Sequence, residues 1–186
     1  ALPLRSLRAA AAIAGTTGER HLHRRPPELP LSITVPFDLE YEFEVKAPIA
    51  EVFGVLADVP LSASHFPGVE KLVDLGGDTY RWELHKVGSS QIHIQTVYTA
   101  KYVTDAHKHT VIWTPVAGGG NALVGGSWTL AARKGSTHLR LKLDGEITVP
   151  LPALMKPLVV PVVMHENEKL VDIYIDNLIQ RFGGEA

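Results

Sequence analysis

The C-terminal part of the chain contains one long stretch with helical periodicity. Residues 150–184 read PLPALMKPLVVPVVMHENEKLVDIYIDNLIQRFGG. At about 100° per residue, apolar side chains recur on one face of a helix that ends near Phe182. That face comprises Val159, Val163, Leu170, Ile173 and Tyr174, and it is extended by Val160, Met164, Val171, Ile175 and Leu178. Gly183 and Gly184 should end the helix, because glycine readily adopts the left-handed conformation found there. An apolar arc this wide needs a large concave partner.

The start of this helix contains several prolines. Pro150, Pro152, Pro157 and Pro161 all lie within its first turns. A proline beyond the first turn removes a backbone donor and kinks the helix. The stretch from Pro150 to Pro161 is therefore predicted to be irregular or bent.

Three polar side chains interrupt the apolar arc. Asn167 lies near its middle, and Glu166 and Asn177 lie toward one edge. A buried amide or carboxylate without partners costs about 1–3 kcal/mol or more. Either neighbouring groups satisfy these side chains, or the side chains face water or a ligand.

The composition limits the class of protein. A chain of 186 residues with 45% hydrophobic residues suits one domain with a substantial core. The net charge of −2 gives no reason to expect nucleic acid as a partner. The absence of cysteine excludes disulfides, thiolate metal sites and a cysteine nucleophile. No apolar run reaches the 18 or so residues of an integral membrane segment, so none is expected.

The first 30 residues differ in composition from the rest of the chain. Five arginines precede Glu28, against the single acid Glu19. The apolar residues that could form a short amphipathic helix here are Leu2, Leu4, Leu7, Ala10, Ala11 and Ile13. Residues 25–30, RPPELP, predict an extended linker. We interpret residues 1–30 as an Arg-rich, partly flexible arm that packs on a single domain at residues 31–186. A remnant of an organelle-targeting segment is the alternative, and the default compartment is the cytoplasm.

Between the arm and the final helix, alternating apolar and polar residues predict seven strands. The first runs through residues 39–45, and two short helices follow at residues 48–58 and 60–68. Six further strands are predicted at residues 71–75, 79–87, 91–104, 108–116, 123–133 and 136–149. The connections are short, so neighbours should form antiparallel hairpins. The fold class is therefore α+β, with a curved antiparallel sheet of six to seven strands wrapped around the C-terminal helix.

Three local motifs and this order of elements resemble the START and pollen-allergen-like (SRPBCC) superfamily. The motifs are APIAEVF at residues 47–53, FPGV at residues 66–69 and GSWTL at residues 126–130. The resemblance covers about residues 33–182, and the chain is most similar to polyketide cyclase and coenzyme Q-binding members. It implies a helix-grip fold with an apolar cavity between the sheet and the helix. It does not specify an activity, since lipid carriers, aromatase/cyclases and hormone receptors are all members.

The implied partner is a lipophilic small molecule, and no cofactor is expected. Strand parity and the helix face together select the residues expected to contact it: Trp82, Tyr98, Trp113, Trp128, Val163, Asn167, Leu170 and Tyr174. Asn167 would offer a donor and an acceptor to a polar end of the ligand. The proline-rich helix start and the loop Gly118–Asn121 would border the opening.

No catalytic or metal motif is found. The nine histidines lack the spacing of a zinc site on a helix, and no Gly-x-Ser-x-Gly motif is present. We interpret the protein as a carrier or sensor that binds its ligand without catalysis. A polyketide cyclase or aromatase is one alternative, although Arg81, Arg133 and Arg140 have outward parity. A protein-interaction module without a ligand is another, and the sequence does not indicate a protein partner.

Removal of the arm should leave the domain folded, because the core pattern is complete without it. We expect deletion of residues 1–30 to lower the free energy of unfolding by no more than about 2 kcal/mol. Urea unfolding followed by circular dichroism measures this difference. A truncated chain that cannot fold would place the arm in the core.

Overall fold

The computed structural model describes residues 31–88 and 93–186, so the predicted arm at residues 1–30 lies outside the described residues. The elements in chain order are β1 (Ile33–Val45), α1 (Ile49–Ala57), α2 (Val59–Ala63), β2 (Val69–Gly76), β3 (Thr79–Leu84), β4 (Val87–Gly88), β5 (His93–Ile94), β6 (Val97–Asp105), β7 (Thr110–Val116), β8 (Ala122–Arg133), β9 (Ser136–Val149), a 3-10 turn (Ala153–Met155) and α3 (Lys156–Arg181). Seven strands form one curved, open antiparallel sheet in the order β1-β9-β8-β7-β6-β3-β2. The predicted helix-grip fold is confirmed.

The inner face of the sheet follows the predicted parity. On β1 and β9, the paired residues Leu39 and Leu143, Tyr41 and Leu141, and Phe43 and Leu139 point to the same side. Their alternation with charged residues keeps one face of each strand in the core and the other in water. Trp113, assigned inward by its parity with Val111, is buried as predicted.

The third and fourth predicted strands are each divided in two. After Leu84 the chain no longer pairs with β6. The His85 N–H instead donates to the Gly68 carbonyl at 2.7 Å. At the start of β6, the Val97 N–H donates to Asn121 Oδ1 at 2.8 Å. These bonds redirect the backbone, so β4 and β5 pair with each other outside the main sheet. The sequence pattern missed this division because both acceptors are distant in the chain.

The long helix begins later than Pro150. The irregular start ends at Met155, and Pro157 lies in the first turn, where its missing N–H removes no helical bond. Pro161 lies inside α3, and the helix continues through it. Helical backbone therefore begins at Lys156, within the stretch predicted to be irregular or bent.

The end of α3 is fixed by two glycines, as predicted. Gly183 and Gly184 have φ angles of +85° and +105°. The Gly183 N–H donates to the Gln180 carbonyl at 3.3 Å, and the Gly184 N–H donates to the Ile179 carbonyl at 2.9 Å. This pair of bonds is the Schellman motif that satisfies the last helical carbonyls.

The residues after the helix return to the sheet, a contact that the sequence pattern did not predict. The Ala47 N–H donates to the Phe182 carbonyl at 3.1 Å, and the Lys46 N–H donates to the Gly184 carbonyl at 3.1 Å. The Ala186 N–H then donates to the Glu44 carbonyl at 3.1 Å. The end of α3 is thereby attached to the end of β1.

The two halves of α3 are buried to different extents. The buried residues of its C-terminal half are Val171, Tyr174, Ile175, Leu178 and Ile179, whereas its N-terminal half buries only Val159 and Val163. Ile173 was assigned to the apolar face but is 37% exposed. It lies roughly 160° around the helix from Ile175, so it faces away from the sheet. The apolar arc predicted for α3 was therefore too wide on the side that included Ile173.

Replacing Gly126 with alanine should destabilise the fold. A Cβ atom at Gly126 would lie 2.5 Å from Cζ2 of the buried Trp113 and 2.4 Å from the Lys142 carbonyl oxygen. Because neither the strand nor the indole can move freely, we expect Gly126→Ala to lower the free energy of unfolding by about 1–3 kcal/mol. Urea unfolding measures the change.

Gly54→Ala is the matched control for this substitution. Gly54 lies in α1, and a Cβ there would meet no atom within 4 Å. Alanine should stabilise the helix by about 0.5–1 kcal/mol. Equal effects of the two substitutions would show that the approach of Trp113 does not constrain residue 126.

Candidate functional site

A cleft lies between the N-terminal half of α3 and the side of the sheet where β3 ends. Its volume is about 610 Å³. Its lining residues are Gly68, Leu84, His85, Lys86, Val87, Gly88, Ile94, Thr96, Ile147, Leu151, Met155, Leu158, Val159, Val162, Val163, Glu166, Asn167 and Leu170. Most of these are apolar. The departure of β3 from β6 after Leu84 provides one wall, and the proline-rich start of α3 provides the other.

Besides Thr96, four polar side chains interrupt this apolar lining. Glu166 and Asn167 come from α3, whereas His85 and Lys86 come from the connection between β3 and β4. The Asn167 amide also lines an adjoining groove of about 110 Å³, and its side chain makes no hydrogen bond to any described residue. Asn177 differs, because its Nδ2 donates to the His65 carbonyl at 2.9 Å. Of the two amides in the predicted apolar arc, Asn167 is therefore the one available to a ligand.

The structure divides the eight predicted ligand contacts between two places. Val163, Asn167 and Leu170 line the cleft. The remaining five line a separate void of about 60 Å³ inside the core: Trp82, Tyr98, Trp113, Trp128 and Tyr174. Strand parity identified which side chains face inward. It did not show whether an inward side chain lines the cleft or the inner void.

Aromatic packing explains why the inner void is small. Trp82 stacks on Tyr98 with ring centroids 5.7 Å apart, and Tyr102 stacks on Trp113 at the same separation. These rings occupy space that shorter side chains would leave empty. The interior therefore resembles a packed core, and the larger space lies toward the N-terminal half of α3.

The hydroxyl groups of the inner void are enclosed. The Tyr174 hydroxyl and Ser62 Oγ are 2.5 Å apart. Burial raises the pKa of Tyr174 to about 12, although hydrogen bonding with Ser62 and Trp128 opposes the rise. Burial also raises the pKa of Tyr98 and of Tyr102. These phenols are therefore neutral at physiological pH and are poor bases.

One indole group in the same region lacks a hydrogen bond. Trp82 Nε1 is buried and has no partner of acceptable geometry, although it approaches the Tyr102 hydroxyl. A void of this size has room for water, which needs about 10–15 Å³ and polar partners. The inner void is thus suited to water rather than to a lipophilic ligand.

The loop Gly118–Asn121 does not line the cleft, contrary to expectation. The Thr99 hydroxyl donates to the Gly119 carbonyl at 3.2 Å, and Thr99 is buried despite its outward parity. The loop therefore lies over the outer face of β6. Gly120 and Asn121 line a different groove, which shares only Ile94 with the cleft.

Asn121 has a structural role that the sequence pattern did not reveal. Its Nδ2 donates to the Gln95 carbonyl at 2.9 Å and to the Thr148 carbonyl at 3.0 Å. Its Oδ1 accepts the Val97 N–H described above. One amide therefore joins the start of β6 to the end of β9 beside the cleft.

Within residues 31–88 and 93–186, no three His, Asp or Glu side chains converge as metal ligands would. No helix in the described part of the chain has the length and apolar character needed to cross a membrane.

The sequence of residues 36–182 matches the model of a protein family described as polyketide cyclase / dehydrase and lipid transport. The chain belongs to this family. The family description covers both enzymes and carriers, so membership establishes a ligand-binding fold without selecting between them. No curated protein matches the chain by sequence.

Solved structures of the same fold include a START superfamily protein and an aromatase/cyclase. A protein from Thermus thermophilus is 18% identical, with a TM-score of 0.58 over 78% of this chain and 96% of that chain. A START superfamily protein from Mycobacterium smegmatis is 16% identical, with a TM-score of 0.55 over 77% and 97%. The Zhui aromatase/cyclase from Streptomyces sp. R1128 is 19% identical, with a TM-score of 0.51 over 78% and 93%. At these identities the likeness shows the fold alone.

Alkaline pH should destabilise the folded chain through its buried phenols. The pKa of Tyr174 is about 12 when folded, against 10.0 for an ordinary tyrosine. Its contribution to stability is complete below pH 10 and is lost as the pH rises through the folded value. For this residue the free energy of unfolding should fall by roughly 1.4 kcal/mol per pH unit across that window.

Urea unfolding between pH 9 and pH 11.5 measures this slope. Tyr174→Phe should make the slope shallower, because phenylalanine has no ionisable group. Tyr80→Phe is the comparison, since Tyr80 is partly exposed, and it should change the slope less. Equal slopes in the wild type and in Tyr174→Phe would show that ionisation of Tyr174 does not cause the loss of stability at alkaline pH.

Proposed function

We propose that the protein binds an apolar or amphipathic small molecule in the cleft and releases it unchanged, as a carrier or sensor does. The observation that supports this proposal is a largely apolar cleft of about 610 Å³. Pockets for small molecules typically span about 300–1,000 Å³, with apolar walls and a few polar groups. The cleft has both the size and the lining of such a pocket.

The positions of the polar groups suggest how the ligand is oriented. An apolar body would contact the wall formed by Val159, Val163 and Leu170, which needs no hydrogen bonds. A carbonyl or hydroxyl group on the ligand would meet the Asn167 amide, which can both donate and accept. The ligand class that fits this arrangement is an amphipathic molecule with a small polar end.

The buried tyrosines favour binding over catalysis. General acid or base catalysis requires a titratable group within hydrogen-bond reach of the reacting atom. Tyr98, Tyr102 and Tyr174 line the inner void of about 60 Å³ rather than the cleft. A ligand held in the cleft would therefore lie apart from these three phenols.

A cyclase-type enzyme is the second candidate. Three titratable side chains, His85, Lys86 and Glu166, line the cleft that would hold the ligand, and His85 and Glu166 are the candidates for acid and base. If they acted as acid and base, Glu166→Gln and His85→Ala would abolish turnover and leave binding largely intact. In a carrier there is no turnover to lose, so the same substitutions would change only the affinity for the ligand.

Mass spectrometry of the bound molecule distinguishes the two candidates. Native mass spectrometry of freshly expressed protein, followed by organic extraction, would identify a co-purified ligand. A carrier should return that ligand with its mass unchanged after prolonged incubation. Loss of two hydrogens and an oxygen atom, as in a dehydrating cyclisation, would favour the enzyme.

Filling the cleft should abolish binding of a lipophilic fluorescent probe. Leu170 and Gly68 both line the cleft, and a Cβ built at Gly68 would lie 3.7 Å from Leu170 Cδ2. Because an indole occupies more of the cleft than an isobutyl group, Leu170→Trp should weaken probe binding by at least about tenfold. Fluorescence titration measures the dissociation constant.

Ile173→Trp is the matched control, since it places the same ring on the exposed side of α3. It should leave probe affinity unchanged, and circular dichroism should show both variants folded. Wild-type affinity in Leu170→Trp would place the ligand elsewhere. A wild type that does not bind the probe would favour the protein-interaction alternative.

A further inference from the structure

A row of exposed apolar side chains borders the cleft. Leu154, Leu158 and Val162, here called the rim row, are 76%, 73% and 60% exposed. They recur every four residues and extend about 12 Å along the start of α3. Leu158 and Val162 also line the cleft, and so does Val87, which is 41% exposed. Exposed apolar side chains grouped in this way mark a contact surface.

Packing beneath the row keeps it on the surface. Val159 and Val163 directly follow Leu158 and Val162 in the chain, and both are buried in the smaller apolar cluster with residues of β1, β8 and β9. Successive residues of a helix differ in direction by about 100°. The rim row therefore remains exposed while Val159 and Val163 hold the start of α3 against the sheet.

The charges around the cleft differ from those of the rest of the molecule. Residues 84–104 and 147–165 supply most of the cleft lining, yet they contain none of the chain's 20 aspartates and glutamates. Lys156 lies beside the rim row, and Lys86 precedes Val87. Both are exposed, and neither forms an ion pair with any residue that the structure describes. A chain with a net charge of −2 thus has a locally cationic surface around the rim row.

We propose that the rim row and Val87 insert into the surface of a bilayer that contains anionic phospholipid. Apolar side chains on such a surface are buried about 5–10 Å deep, at the boundary between headgroups and acyl chains. Lys86 and Lys156 then meet the lipid phosphates, and no carboxylate on the inserted surface opposes the approach. This docking needs no helix that spans the membrane.

Charge also argues against a second copy of the chain as the partner. In a symmetric dimer the same surface contacts itself, so the rim rows would bring Lys156 of one copy toward Lys156 of the other. The inserted surface has no carboxylate to pair with either ammonium group. An anionic bilayer satisfies both the apolar row and the two lysines.

Docking in this orientation places the cleft against the lipid. Leu158, Val162 and Val87 all line the cleft and belong to the inserted surface. An amphipathic ligand could then pass between bilayer and cleft without crossing water. This passage rests on the proposed function, whereas the docking itself does not.

Vesicle flotation with the full chain tests the apolar contact. The vesicles contain phosphatidylcholine with phosphatidylserine, and no other ligand is added. Leu154→Ser with Leu158→Ser should lower the fraction of bound protein, with a partition coefficient reduced at least about tenfold. Leu75→Ser with Val103→Ser is the matched control, because these side chains are 54% and 60% exposed outside the cleft. The control should stay within about twofold of the wild type, and circular dichroism should show both variants folded.

A second pair of substitutions tests the charge contact. Lys86→Gln with Lys156→Gln should lower the partition coefficient on these vesicles at least about threefold, and on pure phosphatidylcholine less than about twofold. Lys108→Gln with Lys134→Gln removes the same charge at the opposite end of the sheet, in the β6–β7 and β8–β9 connections. That control should change neither value by more than about twofold, and added salt should reduce its difference from the first pair.

Three results would overturn the proposal. The first is a wild type that binds neither kind of vesicle. The second is equal binding by the wild type and Leu154→Ser with Leu158→Ser; all variants retain the arginines of residues 1–30, so binding through those would be common to them. The third is self-association in sedimentation velocity that the same serine pair abolishes, which would assign the rim row to a second copy. Binding of the fluorescent probe is measured without vesicles, so its failure is separate from failure of docking.

Discussion

The attachment of the C-terminal half of α3 to the sheet determines the arrangement of the rest of the molecule. The ring of Tyr174 lies between Phe66, at 5.4 Å, and Trp128, at 6.1 Å, measured between centroids. One turn later, Leu178 is fully buried. The hydrogen bonds from the end of β1 to Phe182 and Gly184 then fix the helix terminus. Because these contacts fix the C-terminal half of α3, the N-terminal half can extend over the open side of the sheet.

The two halves of α3 have different surroundings: the C-terminal half packs in the main core, and the N-terminal half borders the cleft. Around the C-terminal half, large rings fill the space between helix and sheet, and only a small void remains. Around the N-terminal half, Val159 and Val163 pack with a second, smaller cluster on β1, β8 and β9. Tyr98 and Leu143 contact both clusters and so stand at the boundary between them. A substitution at a cleft residue outside both clusters, such as Leu170, can therefore alter binding without removing the contacts of the core.

The sequence predicted the local and periodic features well. Alternation located the strands and placed Trp82, Trp113 and Trp128 inward, because parity is a property of each strand by itself. Glycines marked the end of α3 because the left-handed conformation is a local requirement. The proline-rich helix start was placed at the opening, where Leu151 and Met155 line the cleft.

Features that depend on distant partners were not predictable in this way. The direction of the loop at Gly118–Asn121 depends on Thr99, and the course of the chain after Leu84 depends on Gly68. The predicted strand at residues 79–87 included His85, Lys86 and Val87, whereas β3 ends at Leu84. Alternation therefore did not show that these three residues form a wall of the cleft. The apolar arc of α3 showed which residues avoid water but not which of them meet the sheet.

The pairing of β1 has a consequence for how the chain folds as it is synthesised. The full length of β1 pairs with β9, and the hydroxyls of Thr34 and Thr148 that meet across this pair are 114 positions apart in sequence. Until β9 emerges from the ribosome, β1 has an apolar face and unpaired backbone groups on its edge. Strands in that condition are prone to pair with other chains. The outer side of β1 carries the acidic residues Glu40, Glu42 and Glu44. Repulsion between these carboxylates on neighbouring chains disfavours such pairing until β9 has been synthesised.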